Sequence, residues 1–394
     1  MNQAAPPAIR PEILAMIERL IAFDTTSRDS NLGLIEWVRD YVKGYGFASR
    51  LTYDGSSRKA NLFATLERGS NPGIVLSGHT DVVPVDGQNW TSDPFKAVVK
   101  GDRLYGRGAC DMKGYIAVAL AMAPRFAAAE LKAPLHFALS YDEEVGCLGV
   151  RGLLEDLARN NVRPAGAIVG EPTNMQPVIA HKGKRSYHCC VHGKEAHSAL
   201  TPRGVNAIEY AARLICYIRH MAERMQTCEP RDYGIDVPFT TLQTGVIAGG
   251  TASNIVPRDC NFDFEFRYLP GADPDALERE IKDYAERVIL PEMHKTDSGT
   301  GISIETKSEI PGLNAGESDK MTALAQALSR DHTSSKVAYA TEGGLFQQAG
   351  IPAIICGPGS IEQAHKPDEY IALEQVVKCE SFMQRLLEQM CVQV

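Results

Sequence analysis

The sequence carries ten cysteines but no C-x-x-C pair, which excludes a zinc ribbon and a dithiol redox motif; buried thiols of a reducing compartment are expected. Apolar runs such as Tyr115 to Ala123 fall far short of the roughly 20 residues that span a bilayer, so no membrane helix is expected. The start of the chain lacks a basic stretch followed by an uninterrupted apolar core. A secretory signal is therefore not read, and a cytoplasmic protein is expected. Basic residues nowhere cluster with aromatics, and 41 Lys and Arg against 49 Asp and Glu give a net charge of -8. That balance argues against nucleic-acid binding and against a membrane partner. A G-x-S-x-G elbow is also missing, and no cysteine falls in a nucleophile motif, which disfavours a metal-free serine or cysteine hydrolase. Metal chemistry stays open, because His and carboxylates also hold cations.

What is present is a globular composition, 44% hydrophobic and 23% charged, over 394 residues, enough for two domains with cores of their own. Helix-like and strand-like segments alternate from residue 11 to about 182. Ile13, Leu14, Ile17 and Leu20 recur at helical spacing, and Ile74 to Leu76, Leu135 to Leu139 and Ala167 to Val169 read as buried strands. From about residue 184 the order becomes β-α-β-β-α-β, that of a ferredoxin-like sandwich. The helix-strand texture of the first part then resumes. The fold class is α/β: a discontinuous first domain, 1–182 and 296–394, with helices on both faces of a mostly parallel sheet, and an inserted α+β domain, 183–295.

The chemistry-bearing residues follow the strands. Leu76 runs into Ser77-Gly78-His79-Thr80-Asp81, where His79 is either a loop histidine or a metal ligand whose other ring N–H meets Asp81. Asp111, in Tyr105 to Gly114, reads equally as a helix N-cap and as a carboxylate between two cations; no G-K-[ST] follows the glycines, so a phosphate loop is disfavoured. Leu139 leads to Asp142-Glu143-Glu144, Val169 leads to Glu171, and the last predicted strand leads to His365. Each acid or histidine taken singly reads as solvated surface. All of them following strands or opening a helix along one sheet edge, where open α/β sheets bind ligands, point to one site.

The strings SGHTDVVPVDGQNWTSDPF, YGRGACDMKGYIA, YDEEVGCLG, VGEPT, GKEAHSA and GPGSIEQAHKPDEY, in this order, resemble the dinuclear-zinc deacylases and carboxypeptidases of the M20 metallopeptidase clan. The first and last resemble the branch that acts on N2-acetyl-L-ornithine. The resemblance implies a zinc-aminopeptidase-like catalytic domain with a ferredoxin-like dimerisation domain inserted. It further implies two Zn2+ per subunit, with Co2+ as a substitute: His79 and Glu171 on one ion, Glu144 and His365 on the other, Asp111 bridging, Asp81 orienting His79 and Glu143 as general base. A cis peptide is implied after Asp111. From the inserted domain it implies that His197 meets the reacting carbonyl oxygen and that Asn254 and Arg267 bind the substrate carboxylate. The implied substrate is a small N-acyl amino acid, cleaved by metal-activated water, and the implied assembly is a homodimer through the inserted domain, with Ile208, Ala212, Ile215 and Ile218 offering apolar contact. Succinyl-diaminopimelate desuccinylase and metallo-carboxypeptidase activities are the alternatives. Glu342, in the loop before the last predicted strand, is the candidate for the substrate's side-chain ammonium.

Overall fold

The computed structural model describes residues 9–392 and divides into two units. Residues 1–8 and 393–394 of the expected first domain lie outside the described residues. The first unit comprises the described part of Met1–Ala180, Leu313–Lys336 and Thr341–Val394. Its sheet runs, in spatial order, Ala48–Tyr53, Ala60–Leu66, Leu135–Ser140, Ile74–His79, Gly166–Pro172, Ala353–Gly357, Val178–His181 and Leu313–Asn314. The four strands from Leu135–Ser140 to Ala353–Gly357 are mutually parallel, and the strands bordering them are antiparallel. Parallel strands are covered on both faces, and Leu135–Ser140, Gly166–Pro172 and Ala353–Gly357 are buried at every position. The fold is thus an α/β layer structure with helices on both sides of a mixed sheet.

The helices follow from their apolar spacing. Pro11–Ile21 starts with proline at its first position and buries Ile13, Met16, Ile17 and Leu20 along one face. Lys113–Ala121 is buried all round, because it packs between the first helix, the C-terminal helix Leu373–Met390 and the sheet. A Cβ on Gly170 would lie 2.1 Å from the Tyr115 ring, so only glycine lets the strand carrying Glu171 pass over that helix.

The second unit comprises His181–Gly312 and Val337–Ala340. Its antiparallel sheet has the spatial order Thr241–Gly249, Asp259–Tyr268, Gly183–His192, Gly301–Ile310, which is the split β-α-β arrangement. Burial alternates along Gly183–His192, and Tyr187, Cys189 and Val191 meet Phe262, Phe264 and Phe266 in the core. Ala207–Cys228 covers that layer with Ala207, Ala211, Leu214, Ile218 and Met221. Two expectations are corrected here. The boundary at 295 falls too early, since Gly301–Ile310 pairs along nearly its whole length with Gly183–His192 and belongs to this unit. Ile218 is 1% exposed and serves its own core, so it offers nothing to a second copy.

Candidate metal centre

Every residue of the cluster comes from the first unit, and the sheet's parallel edge positions most of them. His79 ends the strand Ile74–His79, Glu143 and Glu144 follow Leu135–Ser140, Glu171 is the penultimate residue of Gly166–Pro172, and His365 lies beyond Ala353–Gly357. Asp111 stands at the entrance of the helix Lys113–Ala121, and the Asp111-Met112 peptide is cis. Asp142, Cys147 and His365 hold left-handed φ values of 54°, 53° and 62°, unusual for non-glycine residues and concentrated in the loops of this edge.

Asp111 faces two ways. Its Oδ1 lies 2.9 Å from His79 Nε2, and its Oδ2 lies 3.3 Å from His365 Nε2. Glu171 Oε1 is 3.8 Å from the same His79 nitrogen, while Glu144 Oε2 is 2.9 Å from that of His365. The five side chains expected as ligands are therefore brought together, with a histidine and a glutamate on either side of one shared carboxylate. Glu143 joins them: ligand atoms of His79, Glu143 and Glu171 lie within 4.8 Å of one another, as do those of His79, Asp111 and Glu144.

Asp81 differs from expectation in how it acts. His79 Nδ1 lies 3.0 Å from the Asp81 main-chain carbonyl and 3.6 Å from its carboxylate. A proton donated to that carbonyl leaves Nε2 to face the centre. The Asp81 carboxylate instead accepts from the backbone N–H groups of Glu143 and Glu144, at 3.1 and 3.3 Å, and from Ser27 Oγ at 2.7 Å. It fixes the loop that carries both glutamates. Lys59 holds the preceding residue, Asp142, at 2.5 Å, and Cys147 Sγ donates to Glu143 Oε1 at 3.3 Å.

The charges do not balance among protein groups alone. Burial and the surrounding acids push Glu143 up to about 8 and Glu144 up to about 7, and Glu171 is raised well above the carboxylate range for the same reasons. Hydrogen bonds to Asp111 and Glu144 push His365 up to about 10; His79, against the burial that lowers it, is raised by Asp111 and Asp81. Asp111 is held low, its burial outweighed by those two histidines. A buried knot of carboxylates that must draw protons onto itself and onto its histidines is what divalent cations relieve, so the donor set fits a two-cation centre.

The remaining expected residues lie elsewhere. Glu342 is 1% exposed, and its two oxygens accept from the hydroxyls of Ser140 and Ser77. Its carboxylate is spent within the fold, which overturns the expectation that it meets a substrate ammonium. His197 and Asn254 are exposed neighbours in the second unit: His197 pairs with Ile255 in a two-residue ribbon, and Ser198 N–H donates to Asn254 O. Arg267 stands at the other end of Asp259–Tyr268, roughly 25 Å from that ribbon by strand rise, with Nε donating to Glu265 at 3.2 Å. Within one chain Arg267 and Asn254 cannot grip the same carboxylate. Sequence reasoning missed Glu369, Arg107 and Gln88, which bind the ligand loops together; the signal available was that all three fall inside the matched strings.

Residues 75–389 match the model of Peptidase family M20/M25/M40. An acetylornithine deacetylase of Myxococcus xanthus is 36% identical over 388 residues, covering 97% of this chain and 98% of that protein. Among solved structures, the aminopeptidase PepT of Bacillus cereus superposes with a TM-score of 0.74 at 18% identity, over 96% of this chain and 98% of the other. The YXEP protein of Bacillus subtilis, described as a dinuclear metal-binding peptidase, gives 0.65 at 15% identity over 96% and 97%. Likeness of this extent, at both the sequence and the family level, makes the chain a metal-dependent hydrolase belonging to peptidase family M20/M25/M40.

Proposed function

We propose that this chain removes the acetyl group from N2-acetyl-L-ornithine, giving L-ornithine and acetate, a step of arginine biosynthesis. The observation that carries the reaction type is the two-way placement of Asp111 between His79 with Glu171 and His365 with Glu144. The substrate rests on the Myxococcus relative named for that activity. Two Zn2+ ions, or Co2+ in their place, suit these nitrogen and oxygen donors and would polarise the amide carbonyl and lower the pKa of water. In this reading Glu143 is not a ligand. It takes a proton from the attacking water and hands it to the departing amine. Asp81 keeps Glu143 and Glu144 in register through their backbone amides.

The second unit offers His197 for the carbonyl oxygen and Asn254 for the substrate carboxylate, both exposed to meet a ligand. It also offers a pairing edge: Thr241–Gly249 borders its sheet, with Val246 59% and Ile247 52% exposed, which favours a homodimer through this unit. Among the described residues no helix is long and apolar enough to cross a membrane. All ten cysteines are unpaired, in keeping with a cytoplasmic protein.

Amine release from N2-acetylornithine, N-acetylcitrulline, N-acetylmethionine and N-succinyl-diaminopimelate, compared as kcat/KM, tests the reading. N2-acetylornithine should lead. A lead for the succinyl compound would replace the deacetylase assignment with a desuccinylase.

A further inference from the structure

Behind the cluster lies a second, buried set of charges that the reaction does not use. We propose that Glu369 is a positioning residue that builds the Asp111 loop and, through Arg107 and Gln88, ties it to the loop carrying His365. The proposal rests on the reading of Asp111 and His365 as metal ligands.

Glu369 and Arg107 are each 1% exposed and meet at 2.7 Å, an ion pair with almost no access to water. One oxygen of Glu369 accepts from the backbone N–H groups of Cys110 and Asp111, at 2.9 and 3.0 Å, and the other from Gly108 N–H at 3.1 Å as well as from Arg107. A single carboxylate thus receives three amides of the four residues that end at Asp111, from a position more than 250 residues away in the chain. Few features other than a buried anion turn so many amides inward at one point. Arg107 passes the constraint on. Its other amino group donates to Gln88 Oε1 at 2.6 Å, its guanidinium lies 5.0 Å from the Trp90 ring centre, and Gln88 Nε2 donates to the main-chain carbonyl of His365 at 3.1 Å. Two ligands on separate loops are therefore set by one network, which fixes the gap between them before any cation arrives.

Glu369→Gln keeps the shape and removes one acceptor: the new NH2 must face either Arg107 with Gly108 N–H or the amides of Cys110 and Asp111. Gln88→Ala, at a half-buried position, cuts the link to His365, together with the bonds that Gln88 Oε1 accepts from Arg107 and Trp90, and leaves the Glu369 contacts to the Asp111 loop in place. Metal-stripped wild type, Glu369→Gln and Gln88→Ala are titrated with Co2+, followed by calorimetry and by the visible absorption of bound cobalt, with circular dichroism confirming that each stripped protein is folded. Wild type should take up two Co2+ per chain. Glu369→Gln should bind roughly 10- to 100-fold more weakly with a changed cobalt spectrum, and Gln88→Ala should weaken one of the two ions. A residue that serves stability alone would leave affinity and spectrum of the folded protein unchanged, and that result for Glu369→Gln overturns the proposal. Should Glu369→Gln not fold, wild-type affinity in Gln88→Ala overturns it instead. Wild type that takes up no cobalt rejects the metal reading itself, before either variant is measured.

Discussion

Glu143→Ala is expected to slow turnover by roughly 100- to 10,000-fold while the protein retains its full complement of metal, because removing a general base costs about that much. The prediction is sharp because Glu143 and Glu144 are adjacent, share the Asp81 clamp on their backbones and both approach His79 closely enough to ligate. What separates them is the second contact. Glu144 lies 2.9 Å from His365 on the far side of Asp111, whereas the carboxylate of Glu143 accepts from Cys147 Sγ and stands with His79 and Glu171. Glu144→Ala should therefore shed metal, and activity should return in part at high metal concentration. Turnover and metal content measured on both variants check the assignment; Glu143→Ala protein that loses a metal ion would make Glu143 a ligand instead.

Asp111→Ala is expected to lose both metals and nearly all activity. Its two oxygens face different histidines, one on each side of the cluster, at 2.9 and 3.3 Å. Electrophilic stabilisation by metal is worth several kcal/mol, and roughly 1.4 kcal/mol corresponds to tenfold in rate, which sets the loss at about 1,000-fold or more. Elemental analysis after dialysis against metal-free buffer, with kcat at saturating N2-acetylornithine, measures both effects. One ion retained at wild-type affinity would show that Asp111 belongs to one side only.

The ligand cluster was legible because all its members but His365, which lies in the loop beyond Ala353–Gly357, sit next to a strand end or helix start that apolar patterning already marks. His79 ends a predicted strand, Glu143 and Glu144 follow another, and the parallel connections carry those ends to one edge. Less local facts were not legible. Glu342 looks like any loop glutamate until Ser77 and Ser140, more than 200 residues earlier, close over it. Glu369 gave no sign in the sequence of the three distant amides it gathers, since periodicity carries no information on long-range hydrogen bonds. The β-α-β-β-α-β order of the second unit needs a last strand after its second helix, so the boundary at 295 stopped short of a strand that the order itself requires, and Gly301–Ile310 supplies it.

The central claim is that one carboxylate, Asp111, lies between two metal ions. Anomalous scattering from crystals grown with Zn2+ tests it most directly. Two peaks roughly 3.5 Å apart are predicted, one beside His79 and Glu171 and one beside Glu144 and His365, with Asp111 between them. A fully active, zinc-loaded protein with its ions away from these side chains, or with a single ion that Asp111 does not touch, would contradict it.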